Sequence, residues 1–294
     1  LIRQLERTGH RRLVVLTGDE RWTLSQATAL RDALPGDWPW LNENPSKALG
    51  GLLGREYLHA VFDARAGFDV AVHYRHSQAQ AEQLVQELQS FGVRACAVQA
   101  DLDDANSAGA LLTQACAQLG VIGVLVNNAS MFEYDALTQQ APLSVELFEQ
   151  HWRANTFAPM LLTQQLAQQL PPEHTGVVVN LLDQKLCNPN PDFLSYTLSK
   201  AALAQATVLA AQALAPRIRV MGIAPGLSLR SGEQSDADFA QKHNQTILQR
   251  GSTPEDLAHA LLYILSAPSM TGTTLMVDGG QHLTASARDV MFLP

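Results

Sequence analysis

The sequence contains few features from which a membrane protein, a disulfide-rich domain or a nucleic-acid-binding surface is built. Its 3 cysteines, Cys96, Cys116 and Cys187, form no CxxC pair and no metal-binding spacing, so we expect reduced thiols in a cytoplasmic protein and no metal site. No apolar run approaches the roughly 20 residues that a membrane helix needs. Acidic residues outnumber basic ones by 28 to 20, which argues against a nucleic-acid partner. The first residue is Leu rather than Met, which predicts a fragment or a trimmed product.

Apolar runs alternate with amphipathic stretches along most of the chain. The runs at residues 12–17 (RLVVLT) and 176–182 (GVVVNLL) predict strands buried on both faces. The stretches 105–119 and 147–170 have the periodicity of helices. Repeated strand–helix–strand order predicts an α/β fold, a Rossmann-like doubly wound parallel sheet. Its N-terminal βαβ unit is atypical.

The sequence SYTLSKAAL places Tyr196 and Lys200 four residues apart in a predicted helix. The two side chains therefore lie on one helix face. An ammonium group beside a phenol favours the phenolate, which makes the tyrosine a usable proton donor near neutral pH. A surface tyrosine and lysine at ordinary helical spacing is the alternative interpretation.

Four short motifs together resemble the short-chain dehydrogenase/reductase family over residues 67–294. They are NNAS (127–130), Asn155 in a long helix, YTLSK (196–200) and APG (224–226). The resemblance implies that Tyr196 is the general acid and that Lys200 holds the nicotinamide ribose and lowers the pKa of Tyr196. It also implies that Asn155 supports a proton relay through water.

Asp183 departs from the general family pattern, which has a serine thirteen residues before the tyrosine. An aspartate there resembles the pteridine reductase branch, as do Ser130 and Phe132 after NNA and the ending DGGQHL. The resemblance implies a catalytic Asp183 and a substrate site formed by Ser130, Phe132, Asp183 and Tyr196. The alternatives are that Asp183 caps a turn, that Phe132 belongs to the ordinary core, and that Phe157 or Phe193 is the stacking ring.

The sequence HYRHS closes a predicted strand and contains no acidic residue that would bind a ribose 2′-hydroxyl. Arg75, His76 and Ser77 instead suit the 2′-phosphate of NADPH, although Ser77 as a helix cap in a polar turn is the alternative. The family resemblance implies that further residues bind this cofactor. They are Asp101, Leu102, Asn128, Ala129, Ser130, Tyr196, Lys200, Pro225, Gly226 and Ser228.

The region before residue 67 does not fit a dinucleotide-binding enzyme. Thr17 and Gly18 follow a good strand, but Trp22 and Leu24 occupy the places of the next two glycines of the TGxxxGxG phosphate loop. Residues 1–66 instead resemble the N-terminal region of bacterial tRNA(Met) cytidine acetyltransferase, through RRLVVLTGDERW, LRDALPGDWPWL and LLGREYLHAVFDARAGFD. We therefore expect a fusion, by recombination or by sequence assembly, of segment 1–66 with a reductase domain at 67–294. An insertion in a divergent reductase is the alternative.

The function that these patterns favour is NADPH-dependent hydride transfer to a pterin or a dihydrofolate-like small molecule. A general carbonyl reductase and a non-catalytic fused chain that binds cofactor poorly are the alternatives. The family resemblance also implies a homo-oligomer, a tetramer formed through the long helices near Asn155 and Tyr196.

Overall fold

The computed structural model describes residues 12–15, 64–229 and 236–292. In this part of the chain seven parallel strands form one sheet, in the order β3-β2-β1-β4-β5-β6-β7. The strands are β1 (Arg12–Val15), β2 (Asp69–Tyr74), β3 (Ala95–Gln99), β4 (Val124–Asn127), β5 (Gly176–Leu181), β6 (Ile218–Pro225) and β7 (Thr274–Val277). The chain moves outward from β1 to β3 and then crosses to β4, so the strand order reverses between β1 and β4. Ligands bind at such a reversal, beyond the carboxyl ends of the strands.

Helices cover both faces of the sheet. They are α1 (Gln78–Ser90), α2 (Ala105–Leu119), α3 (Val145–Trp152), α4 (Ala158–Gln169), α5 (Leu194–Leu214), α6 (Asp236–His243) and α7 (Pro254–Ser266). A π-helical turn at Arg153–Phe157 joins α3 to α4, so the helix predicted over 147–170 is interrupted near its middle. Within the described residues, no helix has both the length and the apolar character needed to cross a membrane.

Successive residues along each strand pack into different cores, because strand side chains alternate between the two faces. Val70 and Val72 of β2 belong to the core that contains Leu84 of α1. Ala71, between them, belongs to the opposite core with Leu111 of α2. Both faces are therefore apolar, which explains why the strands are nearly continuous apolar runs.

Strand β1 lies in the middle of the sheet although it comes from the N-terminal region. Leu13 is in register with Val70 of β2 on one side and with Val124 of β4 on the other. The N-terminal region thus supplies one of the two strands between which the strand order reverses. The predicted phosphate-loop positions, residues 17–24, lie outside the described residues.

Candidate active site

Two asparagines connect the central strands to the helix that contains the predicted catalytic residues. Asn127, at the end of β4, donates from Nδ2 to Oδ1 of Asn180 on β5 at 2.7 Å. Asn180 in turn donates to Oγ1 of Thr207 on α5 at 2.9 Å. All three side chains are buried, so these hydrogen bonds hold α5 against the carboxyl half of the sheet.

Asp183 and Tyr196 form a direct hydrogen bond. Asp183 follows β5 and Tyr196 lies in the first turn of α5, and the tyrosine hydroxyl donates to Oδ2 of Asp183 at 2.7 Å. The other carboxylate oxygen accepts from the backbone N–H of Lys185 at 2.8 Å, so Asp183 also caps a short turn. Burial raises the pKa of Asp183, and the hydrogen bonds from Lys185 and Tyr196 oppose that rise.

Lys200 lies one helical turn after Tyr196, on the same side of α5. Its Nζ donates to the backbone oxygen of Leu181, the last residue of β5, at 2.8 Å. The same Nζ is 5.8 Å from the centroid of the Tyr196 ring. The predicted tyrosine–lysine pair is therefore buried against the sheet, and the interpretation as a surface pair is wrong.

Asn155 is fully buried in the π-helical turn and fixes the backbone that follows β4. Its Oδ1 accepts from the N–H of Met131 at 2.7 Å, and its Nδ2 donates to the oxygen of Met131 at 2.9 Å. Nδ2 also reaches Oγ of Ser199 on α5 at 3.0 Å, and Ser130 donates to Oδ1 at 3.3 Å. Asn155 thus joins the segment containing Ser130 to the helix containing Tyr196.

Phe132 lies beside the Asp183–Tyr196 pair. Its ring meets Tyr196 edge to face, with centroids 4.7 Å apart, and stacks on Phe193 at 4.2 Å. One face of Phe132 is therefore covered by protein. Phe193 is thus part of the same aromatic group, whereas the other alternative, Phe157, is exposed.

The residues predicted to bind the adenosine phosphate follow β2 and β3. Nη2 of Arg75 is 3.0 Å from Oδ2 of Asp101 and 3.7 Å from Oδ2 of Asp103. Nε of Arg75 is buried and has no hydrogen-bond partner among the described residues. Ser77 occupies the N-cap position of α1, as the alternative interpretation expects, but its side chain makes no capping hydrogen bond. His76 is exposed.

The other predicted cofactor residues follow β3, β4 and β6. Leu102, Asn128, Ala129 and Ser228 are buried, and Pro225 ends β6. Gly226 is closely surrounded, because a Cβ there would lie 2.6 Å from Oε1 of Gln281 and 2.9 Å from Cβ of Asp278. The fold brings these residues to the same edge of the sheet as Tyr196 and Arg75.

Sequence reasoning missed a C-terminal segment, residues 284–292, that packs beside the aromatic group. Arg288 donates from Nε and Nη2 to Asp192 at 2.8 and 2.9 Å. Lys185 Nζ is 2.9 Å from Oδ2 of Asp289, and the Phe292 ring lies 5.9 Å from that of Phe193. No local pattern indicates these contacts, because the partners are about a hundred residues apart.

Comparison with known proteins identifies the family. The sequence model of the protein family described as Enoyl-(Acyl carrier protein) reductase matches residues 60–282. The 3-oxoacyl-(acyl-carrier-protein) reductase FabG of Staphylococcus aureus is 31% identical over 229 residues, which cover 75% of this chain and 90% of that protein. The chain belongs to the short-chain dehydrogenase/reductase family. L-rhamnose 1-dehydrogenase (NAD(P)(+)) of a Sphingomonas species is 29% identical over 232 residues, covering 76% of this chain and 90% of the relative.

Solved structures and a second family model complete the comparison for this short-chain dehydrogenase/reductase. FolM Alternative dihydrofolate reductase 1 from Brucella canis, complexed with NADP, aligns with TM-score 0.76 and 32% identity, covering 96% of this chain and 98% of that one. The Brucella suis protein of the same name, also with NADP, aligns with TM-score 0.76 and 37% identity, covering 82% and 96%. The model for the N-terminal part of tRNA(Met) cytidine acetyltransferase matches residues 1–72. Both predicted resemblances are confirmed.

Proposed function

We propose that this short-chain oxidoreductase reduces a pterin or a dihydrofolate-like substrate with NADPH. The hydrogen bond between Tyr196 and Asp183 carries the proposal. A pterin has a ring edge with N–H donors and basic nitrogens, and a carboxyl group either accepts from such donors or protonates such nitrogens. The two FolM proteins, named as alternative dihydrofolate reductases and solved with NADP, support this assignment.

The residues on the cofactor side fit NADPH. The guanidinium of Arg75 has an unpartnered Nε among the described residues, and the hydroxyl of Ser77 is not used as a cap. Both groups, with the exposed His76, suit a phosphate. Gly226 allows β6 to pack closely against Gln281 and Asp278, where a side chain would clash. Bound NADPH would supply the hydride that reduces a ring carbon of the substrate.

The protein's own contribution is to hold and move a proton. Because burial raises the pKa of Asp183, its carboxyl keeps a proton at a higher pH than an exposed aspartate does. The Tyr196 hydroxyl shares a hydrogen bond with that carboxyl, so either group can protonate a ring nitrogen next to the reduced carbon. Lys200 is near the Tyr196 ring, where its charge favours the phenolate left after transfer.

Phe132 gives the site its preference for a planar substrate. One ring face is covered by Phe193, and the ring is nearly perpendicular to that of Tyr196. We propose that its other face contacts the pterin ring, as the family resemblance implies, with Ser130 at the edge of the same site. Stacking on an aromatic face favours a flat heterocycle over an aliphatic ketone.

A general carbonyl reductase is the second candidate. The FabG and L-rhamnose 1-dehydrogenase relatives, at 31% and 29% identity, support it. Asp183 distinguishes the candidates, because a buried acid beside the tyrosine is suited to ring nitrogens and is not needed for a simple ketone. A non-catalytic fused chain is the third candidate, because Trp22 and Leu24 replace phosphate-loop glycines.

We propose a division of the chain at residue 66, with the acetyltransferase-like segment 1–66 joined to the reductase domain 67–294. The two family matches overlap over residues 60–72, which supports a junction there.

We also propose a cytoplasmic homo-tetramer. Exposed apolar side chains on α3 to α5 and the turn between them support that assembly: Trp152, Phe157, Met160, Leu198 and Leu209.

Titration of the purified chain with NADPH, followed by turnover assays, tests the proposal. We expect saturable binding at micromolar cofactor and reduction of dihydropterin or dihydrofolate in preference to simple ketones. Asp183→Ser should lower kcat/KM for the pterin about 100-fold, the contribution typical of a general acid, and leave the NADPH Kd within about twofold. Turnover of ketones alone would support the carbonyl reductase, and a folded sample with no binding at millimolar NADPH would support the non-catalytic chain.

A further inference from the structure

The segment between β4 and α3 is held by two side chains from one helical stretch. Asn155 binds both backbone groups of Met131. Four residues earlier, His151 accepts at Nε2 from the backbone N–H of Glu133 at 3.2 Å. Phe132 lies between these two attachment points, so its backbone is fixed on both sides.

The hydrogen bonds of His151 define its protonation state. Its Nδ1 is 3.0 Å from the backbone oxygen of Leu147, which only accepts, so Nδ1 carries the proton. Its Nε2 faces the N–H of Glu133, which only donates, so Nε2 is unprotonated. A second proton would place two donors against each other and break the attachment of Glu133.

His151 is also close to the catalytic tyrosine. The side chain is fully buried, and its ring centroid is 6.4 Å from that of Tyr196 on α5. The ionisable groups that act on it from the facing segment are Asp135 and Glu133, which raise its pKa, while burial lowers the pKa more strongly. The neutral form therefore predominates near neutral pH.

We propose that His151 is a positioning residue that sets the orientation of Phe132 and thereby the affinity of the site for a planar substrate. The proposal rests on the proposed function for its substrate, but the hydrogen bond to Glu133 is independent of it. His151 acts through the backbone at Glu133. Its protonation releases that backbone, so substrate affinity falls in acid.

Two variants separate the hydrogen bond from the titration. His151→Leu removes the acceptor and keeps the apolar volume, so KM for the dihydropterin should rise about tenfold, with kcat within about threefold and the NADPH Kd unchanged. His151→Gln restores an acceptor that does not titrate. Its KM should lie within about threefold of wild type at pH 7.5. The rise in KM in acid that we expect for wild type, at a pH below the ordinary histidine pKa because burial lowers the pKa of His151, should be absent. His259→Gln, an exposed histidine on α7, is the matched control and should behave as wild type.

Amide hydrogen exchange of residues 130–135 in the free protein gives a readout that needs no substrate. We expect faster exchange in His151→Leu than in wild type, and a non-additive KM effect when Phe132→Leu is combined with it. Unchanged exchange, additive effects, or an acid rise in KM that persists in His151→Gln would overturn the proposal. If His151→Leu does not fold, the pH profile of His151→Gln decides.

Failure of this proposal and failure of the proposed function are distinguishable. Altered exchange in a protein that turns over no pterin would overturn the proposed function and leave the attachment by His151 standing. Normal pterin turnover with unchanged exchange would overturn the role of His151 alone.

Discussion

The two halves of the site differ in how far their polar groups are already satisfied by the protein. Around Tyr196 the key side chains bind one another or the backbone: Asp183 binds the tyrosine, Lys200 binds Leu181, and Asn155 binds Met131. On the half that we propose binds the cofactor, the partly exposed guanidinium of Arg75 faces two carboxylates and keeps an unpartnered Nε among the described residues.

This difference indicates which half is preorganised. Buried hydrogen bonds in the half around Tyr196 fix the positions of Asp183 and Lys200, our proposed catalytic residues, before any ligand arrives, which is how a site avoids reorganisation during a reaction. In the cofactor half, the Arg75–Asp101 ion pair is partly solvated and worth little by itself. A phosphate would compete with Asp101 and Asp103 for Arg75. Substitutions in the first half should therefore affect turnover, and those in the second should affect cofactor affinity.

The largest expected effect follows from Tyr196→Phe. Loss of the hydroxyl removes the donor that binds Asp183 at 2.7 Å, so kcat for the pterin should fall about 1,000-fold, within the range for general acid catalysis. The NADPH Kd should stay within about twofold of wild type, measured by cofactor fluorescence. A fall in kcat smaller than about tenfold would indicate that Asp183 alone delivers the proton.

A smaller, selective effect is expected from Arg75→Gln. A charge-assisted hydrogen bond contributes about 1.5–3 kcal/mol, so the NADPH Kd should rise about 10- to 100-fold, with kcat at saturating cofactor unchanged. NADH, which lacks the 2′-phosphate, should bind both proteins equally. Asp103→Asn is the matched variant, because it removes a carboxylate 3.7 Å from Arg75 and should tighten NADPH binding about two- to threefold. Equal weakening of NADH and NADPH by Arg75→Gln would contradict the assignment.

The smallest effect concerns stability and pH. Burial raises the pKa of Asp183 above its ordinary 3.8, so the folded protein binds this proton more tightly than the unfolded chain does. The resulting stability is fully present below about pH 4 and is lost as pH rises through the raised pKa. Asp183→Asn carries no such charge, and its Tm at pH 8 should exceed that of wild type by about 2 °C.

Scanning calorimetry between pH 4 and pH 8 checks this prediction, and the difference in Tm should close toward pH 4. A variant that is less stable than wild type at pH 8 would show that the hydrogen bonds of the ionised carboxyl outweigh its burial. Burial of the Asp183 carboxyl would then not lower the stability of the folded protein.

Local patterns predicted the regular elements well. Helix α2 has the predicted bounds, 105 and 119, and Thr253 caps α7 through a reciprocal hydrogen-bond pair with Asp256, three residues along the chain. Spacing placed Tyr196 and Lys200 on one face of α5. These successes share a cause, since helix periodicity and capping depend on residues within about one turn of each other.

Contacts between distant parts of the chain were not predictable in this way. His151 had a weak signal, because it lies four residues before Asn155 on the same helical stretch. The π-helical turn that places Asn155 had no signal. Arg288 and Asp192 are joined only by the fold, and nothing near either residue indicates the other.

The sequence by itself determined the alternating α/β pattern, the short-chain reductase motifs and the aspartate on which the proposed pterin specificity rests. Each depends on residue identity and short spacing. Only the tertiary structure decided that Arg12–Val15 is an interior strand between β2 and β4, that Phe193 covers one face of Phe132, and that Arg75 faces two carboxylates. Those outcomes depend on which strands become neighbours in the sheet, and sheet pairing is set by packing across the whole domain rather than by any local run of residues.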